Sequence, residues 1–300
     1  MLSQLTRMAD VTRERMNGSV GDWLDRQSLT SVPPVLYILV LLVVPVAYII
    51  YISWFEYNAL TIVSTDFTTQ YYEQLLLESF YRNVLWYTFK VAIITSVLCA
   101  VLGYGLGYFI ANTTPLKRQI TLFSVFLPLM VGTVTRLYGW MILLGGGGVI
   151  NTYLDSLFGF QMELIGNTNA IIIGMVGVFL PFVVLPVYSA VEDIPESYVL
   201  AARNLGANRA ESFVEVTLPL SLHGLLSGTV IVFALSMSTI VTPQILGGRT
   251  NLMMGELMYS MASNFNWPFA SAIATVLAVL TISAVYGYFN VFRTRMEVES

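Results

Sequence analysis

Residues 195–219 read PESYVLAARNLGANRAESFVEVTLP, a polar stretch set between two strongly apolar segments. Asp193-Ile-Pro-Glu196 has the form of a capping box: Asp193 caps, Pro195 fits the first turn and Glu196 reaches back. Good helix formers follow in Leu200-Ala-Ala-Arg203, until Gly206 ends the run in an expected left-handed conformation. Asn208-Arg-Ala-Glu211 is a second box, and its helix runs toward Leu218-Pro219. Two short helices joined at a glycine make a rigid knob, a shape suited to docking in a partner's groove.

Composition decides what the knob is attached to. Of 300 residues, 11% are charged and 56% apolar, with a mean hydropathy of +0.72. Soluble domains carry about 25% charged residues, so the chain is an all-α polytopic membrane protein. Six apolar stretches have the length of a span, near 35–55, 85–111, 120–144, 168–191, 219–246 and 268–292. The domain reading is a polar N-terminal segment, 1–33, and a transmembrane domain, 34–300, that carries the loop 193–219. In the first segment Leu2, Leu5, Met8, Val11 and Met16 fall near helical spacing. They suit either a short amphipathic helix on a surface or a frayed tail. It is not a secretory signal, because the apolar run that follows is too long and no small-residue cleavage site closes it. The single cysteine, Cys99, excludes an intramolecular disulfide.

Lys and Arg fix the orientation. Ten of them, Arg7, Arg13, Arg15, Arg26, Lys117, Arg118, Arg203, Arg209, Arg293 and Arg295, fall on one side, and only Arg82 and Arg249 on the other. This puts both termini and the knob in the cytoplasm. The outer side is acidic, with Glu56, Asp66, Glu73, Glu78, Asp155, Glu163 and Glu256. A short helix is expected near Thr69–Ser79 in the outer segment 56–84.

The knob also carries a spaced pattern: Ala201-Ala202, three residues, Gly206, nine residues, Val216, one residue, Leu218-Pro219. It resembles the EAA loop of ABC importer permeases, Glu-Ala-Ala-x3-Gly-x9-Ile-x-Leu-Pro. The chain departs from it at Leu200, where the family has Glu, and at Val216. Glu196, one turn earlier on the same face, is placed to substitute in part for the missing Glu. The resemblance implies a type I ABC importer permease fold and a coupling helix that docks on the ATPase through Glu196, Leu200, Ala201, Ala202, Gly206 and Ala207. It implies two ATP-binding subunits, a second permease subunit that is identical or related, and a periplasmic substrate-binding protein. The membrane would be the bacterial inner membrane. ATP and Mg would be bound by the partner ATPase, since this chain has no Walker sequence.

Within the spans, Gly103 and Gly107 form a GxxxG interface, and Gly145-Gly-Gly-Gly148 is a turn into a short helix at Val149–Leu154 rather than a phosphate loop, for it lacks the Lys-Ser/Thr. Arg136 lies in the third span, with Tyr138 and Trp140 after it. A guanidinium near mid-membrane costs roughly 2.5–3.5 kcal/mol on insertion scales. Arg136 therefore faces the bundle interior or a water-filled path, or else the span is shifted and it snorkels outward. In the fifth span Ser236, Ser238 and Thr242 stand among further hydroxyls before Pro243. Such hydroxyls bond across helices or line polar paths. One histidine, His223, builds no multi-His metal site, and no catalytic set is visible. The chain reads as a non-catalytic transport subunit with no cofactor or metal of its own. Nothing is basic enough for nucleic acid, and lipid is the surrounding partner.

Thr242-Pro-Gln-Ile-Leu-Gly-Gly248, Asn266-Trp-Pro-Phe-Ala-Ser-Ala272 and Arg136-Leu-Tyr-Gly139 are similar to motifs of the spermidine/putrescine-type permeases. That resemblance implies a polyamine or related small cationic amine as substrate. Alternatives are a permease for ferric ion, thiamine, a phosphonate or an amino-acid-like compound, or a stand-alone secondary carrier. Such carriers often have inverted repeats and intramembrane carboxylates, which this sequence does not display.

Overall fold

The computed structural model describes residues 33–298, apart from 35 and 249. The readings made above for residues 1–32 lie outside these. Helix α1, Leu36–Ile52, belongs to a unit of its own, and the second unit runs from Ser53 onward.

The second unit opens with a hairpin that the sequence pattern did not announce. Strands β1, Phe55–Asn58, and β2, Ile62–Phe67, pair antiparallel. Helix α2, Gln70–Leu77, follows where a short helix is expected. Trp54 stacks on Phe67 with centroids 5.5 Å apart, and the Tyr71 hydroxyl accepts the Tyr57 N–H at 2.8 Å. The hairpin and α2 are thus one aromatic cap, seated by Tyr71 on Phe269 at 5.1 Å.

The helices of the bundle follow. They are α3, Ser79–Ala111; α4, Pro115–Met130; α5, Thr133–Leu144; α6, Val149–Phe158; α7, Thr168–Phe179; and α8, Pro181–Glu192. After the knob come α11, Leu218–Met237; α12, Val241–Leu246; α13, Met254–Ser263; and α14, Trp267–Val298. Among the described residues four helical runs are long and apolar enough to cross a membrane: 79–111, 133–158, 209–237 and 267–290. Helices α7 and α8 pass the same test together, bent by 44° at Leu180-Pro181, and α1 adds a shorter apolar helix.

Two expected spans are corrected. The stretch 120–144 is not one helix, because α4 stops at Met130 and α5 starts at Thr133. Pro128 near the end of α4 removes a backbone donor, and Gly132 stands at the N-cap of α5. The stretch 219–246 ends at Met237, and α12 is separate. There the Ser238 hydroxyl donates back to the Ala234 carbonyl at 3.2 Å, closing the last turn of α11. Both breaks fall inside apolar runs, where hydropathy registers length but not bends.

The bundle is organised on α8. A Cβ on Gly103 or Gly107 of α3 would lie 2.8 Å from Val183 or Val187. A Cβ on Gly224 of α11 would lie 2.5 Å from the Pro186 carbonyl oxygen, and one on Gly228 would lie 2.8 Å from the Val183 Cα. Two GxxxG faces, one on α3 and one on α11, therefore close on the same helix, and only glycine permits such an approach. Val183 and Val187 are fully buried between them. This packing supplies the attraction, since lipid tails give no hydrophobic driving force between helices.

Gly224→Ala forces a methyl against backbone and costs about 1–3 kcal/mol by overpacking. This outweighs the roughly 1 kcal/mol that Ala gains over Gly in a helix. Gly105→Ala, with nothing within 4 Å of its Cβ, gains only the propensity. Melting of the purified protein in detergent should therefore fall for the first variant and hold or rise for the second. Equal melting would remove the clasp.

Candidate functional site

The knob grows directly out of α8. Asp193 closes α8 instead of capping the next helix, whose N-cap is Pro195 with no side-chain bond. The expected capping box at 193–196 is therefore absent. Proline at the N-cap has no side-chain acceptor for the first turn, where only its carbonyl accepts the Tyr198 N–H at 3.0 Å, and Asp193 closes α8 with its N–H on Ser189 O at 3.0 Å.

Helix α9, Glu196–Asn204, ends in a complete Schellman motif. The Gly206 N–H donates to Arg203 O at 3.0 Å and the Ala207 N–H to Ala202 O at 3.1 Å. Gly206 has φ +99°, a conformation that disfavours any side chain. Two residues later α10, Arg209–Ser212, begins with the capping box intact. Asn208 Oδ1 accepts the Ala210 and Glu211 N–H groups at 2.9 and 3.0 Å, and Glu211 Oε2 accepts the Asn208 N–H at 2.8 Å. Hardly a free backbone group remains between the helices, which is why the knob is rigid.

Five residues of π-helix, Phe213–Thr217, join α10 to α11, with the Leu218 N–H donating to Phe213 O. The next residue but one, Pro219, has no N–H to continue an ordinary turn. Phe213 lies edge-on to Tyr104 and Tyr108 of α3, at 5.9 and 5.0 Å. The Tyr104 hydroxyl lies 2.8 Å from Ser221 Oγ. On the other side, Arg118 at the start of α4 pairs with Glu192 at the end of α8 and donates to Ala111 O at 3.0 Å. The knob is anchored to α3, α4 and α8 at its base.

Its free surface is apolar in places. Leu205 is 91% exposed, and Tyr198, Leu200 and Val214 are each about half exposed. Glu196, Ala201 and Gly206 are also exposed, whereas Ala202 and Ala207 are half-buried. Leu205 was not singled out from sequence. Its position between Asn204 and Gly206, where the Schellman turn pushes it outward, is the signal that marks it.

The other candidate residues gather around the broken spans. Arg136 lies in the first turn of α5, donating to Thr133 Oγ1 at 3.3 Å, and its Nε and Nη1 are buried without a partner among the described residues. Tyr138 is exposed, and Trp140 packs on α7, where a Cβ on Gly177 would meet its ring at 2.7 Å. Ser236 and Thr242 are buried within the fold, while Ser238 is exposed at the break between them. Two asparagines that sequence reasoning missed hold two loop turns. Asn151 bridges Gly145 O and the backbone of Met162, and Asn251 donates to Gly166 O and Gly247 O. Each buries an amide that finds backbone partners in two loops.

The chain matches the family model "Binding-protein-dependent transport system inner membrane component" over residues 15–296. It is 32% identical over 218 residues to the spermidine/putrescine transport system permease protein PotB of Haemophilus influenzae, covering 72% of this chain and 76% of that one. It is 31% identical over 221 residues to PotB of Escherichia coli K12, covering 73% and 80%. Among solved structures, it resembles a bacterial ABC transporter involved in the import of the acidic polysaccharide alginate, at TM-score 0.74 and 16% identity, over 91% of this chain and 96% of that one. The inward-facing MetNI methionine ABC transporter follows at TM-score 0.56 and 20% identity, over 71% and 94%. At these identities the two structures speak to fold alone, and it is the same fold. The chain belongs to the binding-protein-dependent transport system inner membrane components and is a multi-pass permease subunit of an ABC importer.

Proposed function

We propose that this permease carries a polyamine or a related small organic amine, delivered by a periplasmic binding protein, inward across the inner membrane. The observation that carries the reading is the identity to PotB, 32% and 29% over 72% and 85% of the chain. The exposed carboxylates Glu56, Asp66, Glu73, Asp155 and Glu163 add a cation-attracting field. Two permease subunits form the path, with Arg136, Tyr138, Trp140, Ser236, Ser238 and Thr242 on it or at its outer gate. Two ATP-binding subunits, which hold ATP and Mg, receive the knob through Glu196, Leu200, Ala201, Ala202, Gly206 and Ala207. The cage of caps and the clasp on α8 make this loop a stiff lever, so ATPase closure is conveyed to the helices that line the path. In proteoliposomes holding the full complex and its binding protein, labelled putrescine or spermidine should accumulate on ATP addition. Accumulation of thiamine, ferric ion or a phosphonate in their place would overturn the amine reading, and uptake by the permease alone would replace the importer with a carrier.

Both termini and the knob are cytoplasmic in this reading, and the hairpin is outside. Leu60, at the hairpin tip, is 93% exposed, while the native Cys99 is fully buried. Leu60→Cys should label with a membrane-impermeant thiol reagent in intact spheroplasts. Labelling only after permeabilisation would invert the topology.

Gly206→Asp and Ala202→Asp test docking. The Cβ at 206 meets nothing within 4 Å, so that change strains φ and adds charge without a clash inside the chain. Each variant places an unpaired charge in a surface that is desolvated on docking, and recovery of the ATPase subunit should drop by roughly tenfold or more. Insertion of the spans stays intact. Glu196→Ala should lower recovery by much less, as expected of a partial substitute for the glutamate replaced by Leu200. Wild-type recovery with both Asp variants would exclude the knob as the docking site.

A further inference from the structure

The fifth span stops at Met237, and the first turn of α13 is laid against that broken end. A Cβ on Gly255 would lie 2.4 Å from the Thr239 carbonyl oxygen and 3.1 Å from that of Ser238. Met237, Met254 and Leu257 seal the contact on its apolar side. Thr88 of α3 fixes it, accepting the Met254 N–H at 2.9 Å while donating to Val84 O at 2.8 Å.

Two polar groups flank this junction, one on each helix, and both are buried without a partner among the described residues: Ser236 Oγ and Glu256 Oε2. Neither does what its position favours. Ser96, Ser221, Thr229 and Ser238 all donate to the carbonyl four residues back, the ordinary recourse of a helical hydroxyl. Ser236, fully buried on the same helix as three of these, does not. Glu256 is the third residue of α13, from which a capping glutamate reaches back to the N-cap N–H. Here the N-cap is Met253, with no side-chain cap, and the carboxylate oxygen is left over. Glu256 as a whole is half-buried, and a carboxylate oxygen shut away without a partner is costly for a fold to keep. Ser236 stands two and three residues before the Ser238 and Thr239 carbonyls, and Glu256 directly follows Gly255, so both flank a contact rich in acceptors at the C-terminal, negative end of α11. Ser238 is exposed, so the junction has an open side.

We propose that Glu256, together with the Ser236 hydroxyl and the carbonyls of Ser238 and Thr239, receives a protonated amine of the substrate at the broken end of the fifth span. An ammonium has three donors and no acceptor, and it needs the kind of group this junction supplies. A phosphonate or another anion would meet only repulsion there. The assignment rests on the amine reading of the substrate given above.

The test is putrescine uptake into proteoliposomes holding the complete complex, at saturating loaded binding protein. Glu256→Gln keeps the shape and removes the charge, and uptake should fall about tenfold or more, the factor a charge-assisted hydrogen bond supplies. Glu256→Asp, which keeps the charge, should recover a large part of the rate. Recovery of the assembled complex and its melting temperature should match wild type in both. Wild-type uptake by Glu256→Gln overturns the proposal and leaves the amine reading standing. Joint loss of uptake and assembly, with no rescue by Asp, makes Glu256 a structural residue and also overturns it. A wild-type complex that moves neither putrescine nor spermidine overturns the amine reading itself, and the proposal with it.

Discussion

The arrangement depends on how closely α3 and α11 approach α8. Gly103 and Gly107 of α3 and Gly224 and Gly228 of α11 bring backbone to within contact of Val183, Pro186 and Val187. In a bilayer the gain comes from contact itself, many small dispersion terms that lose roughly a quarter to a half of their strength with a gap of about 0.5–1 Å. A helix held this way cannot shift alone. Because α8 runs straight into the knob, displacement of the knob must carry α3 and α11 with it, and the Arg118–Glu192 pair brings the start of α4 along.

A second constraint is the fate of backbone groups freed where spans break. Irregular backbone at membrane depth survives only where protein or a wet cavity covers it. The break after Met237 is covered by Gly255 and the α13 turn. The break at Val131-Gly132 is exposed, and Arg136 stands in the turn that follows it. A lipid-facing surface would tolerate neither, so this side of the permease is one that protein or water covers.

The sequence declared local features well. The Gly206 turn and the Asn208–Glu211 box follow from spacing rules that act within a few residues, and both are present. The glycine pair on α3 was legible by the same means. The pair on α11, Gly224 and Gly228, carries an identical spacing and could have been read alongside it. The hairpin at 55–67 was hidden because its turn is made by Ile62 at φ +68°, with no Gly, Asn or Asp at that position to announce it. The breaks in the third and fifth spans were hidden because apolar length does not report where a chain folds back. Glu256 was legible only as an outer acidic residue. The enclosure of its Oε2 is a consequence of how α13 packs, which no local pattern encodes.

The π turn at Phe213–Thr217 adds an evolutionary dimension. It amounts to one residue more than a regular helix requires. Since successive residues on an α-helix are set about 100° apart, losing one residue there would turn α10 by about a quarter circle relative to α11. Pro219 protects the insertion, because its ring crowds the carbonyl that an ordinary turn would place beneath it. A single-codon deletion with replacement of Pro219 is therefore a short route by which a permease of this architecture could re-aim its knob, with the membrane bundle left as it is.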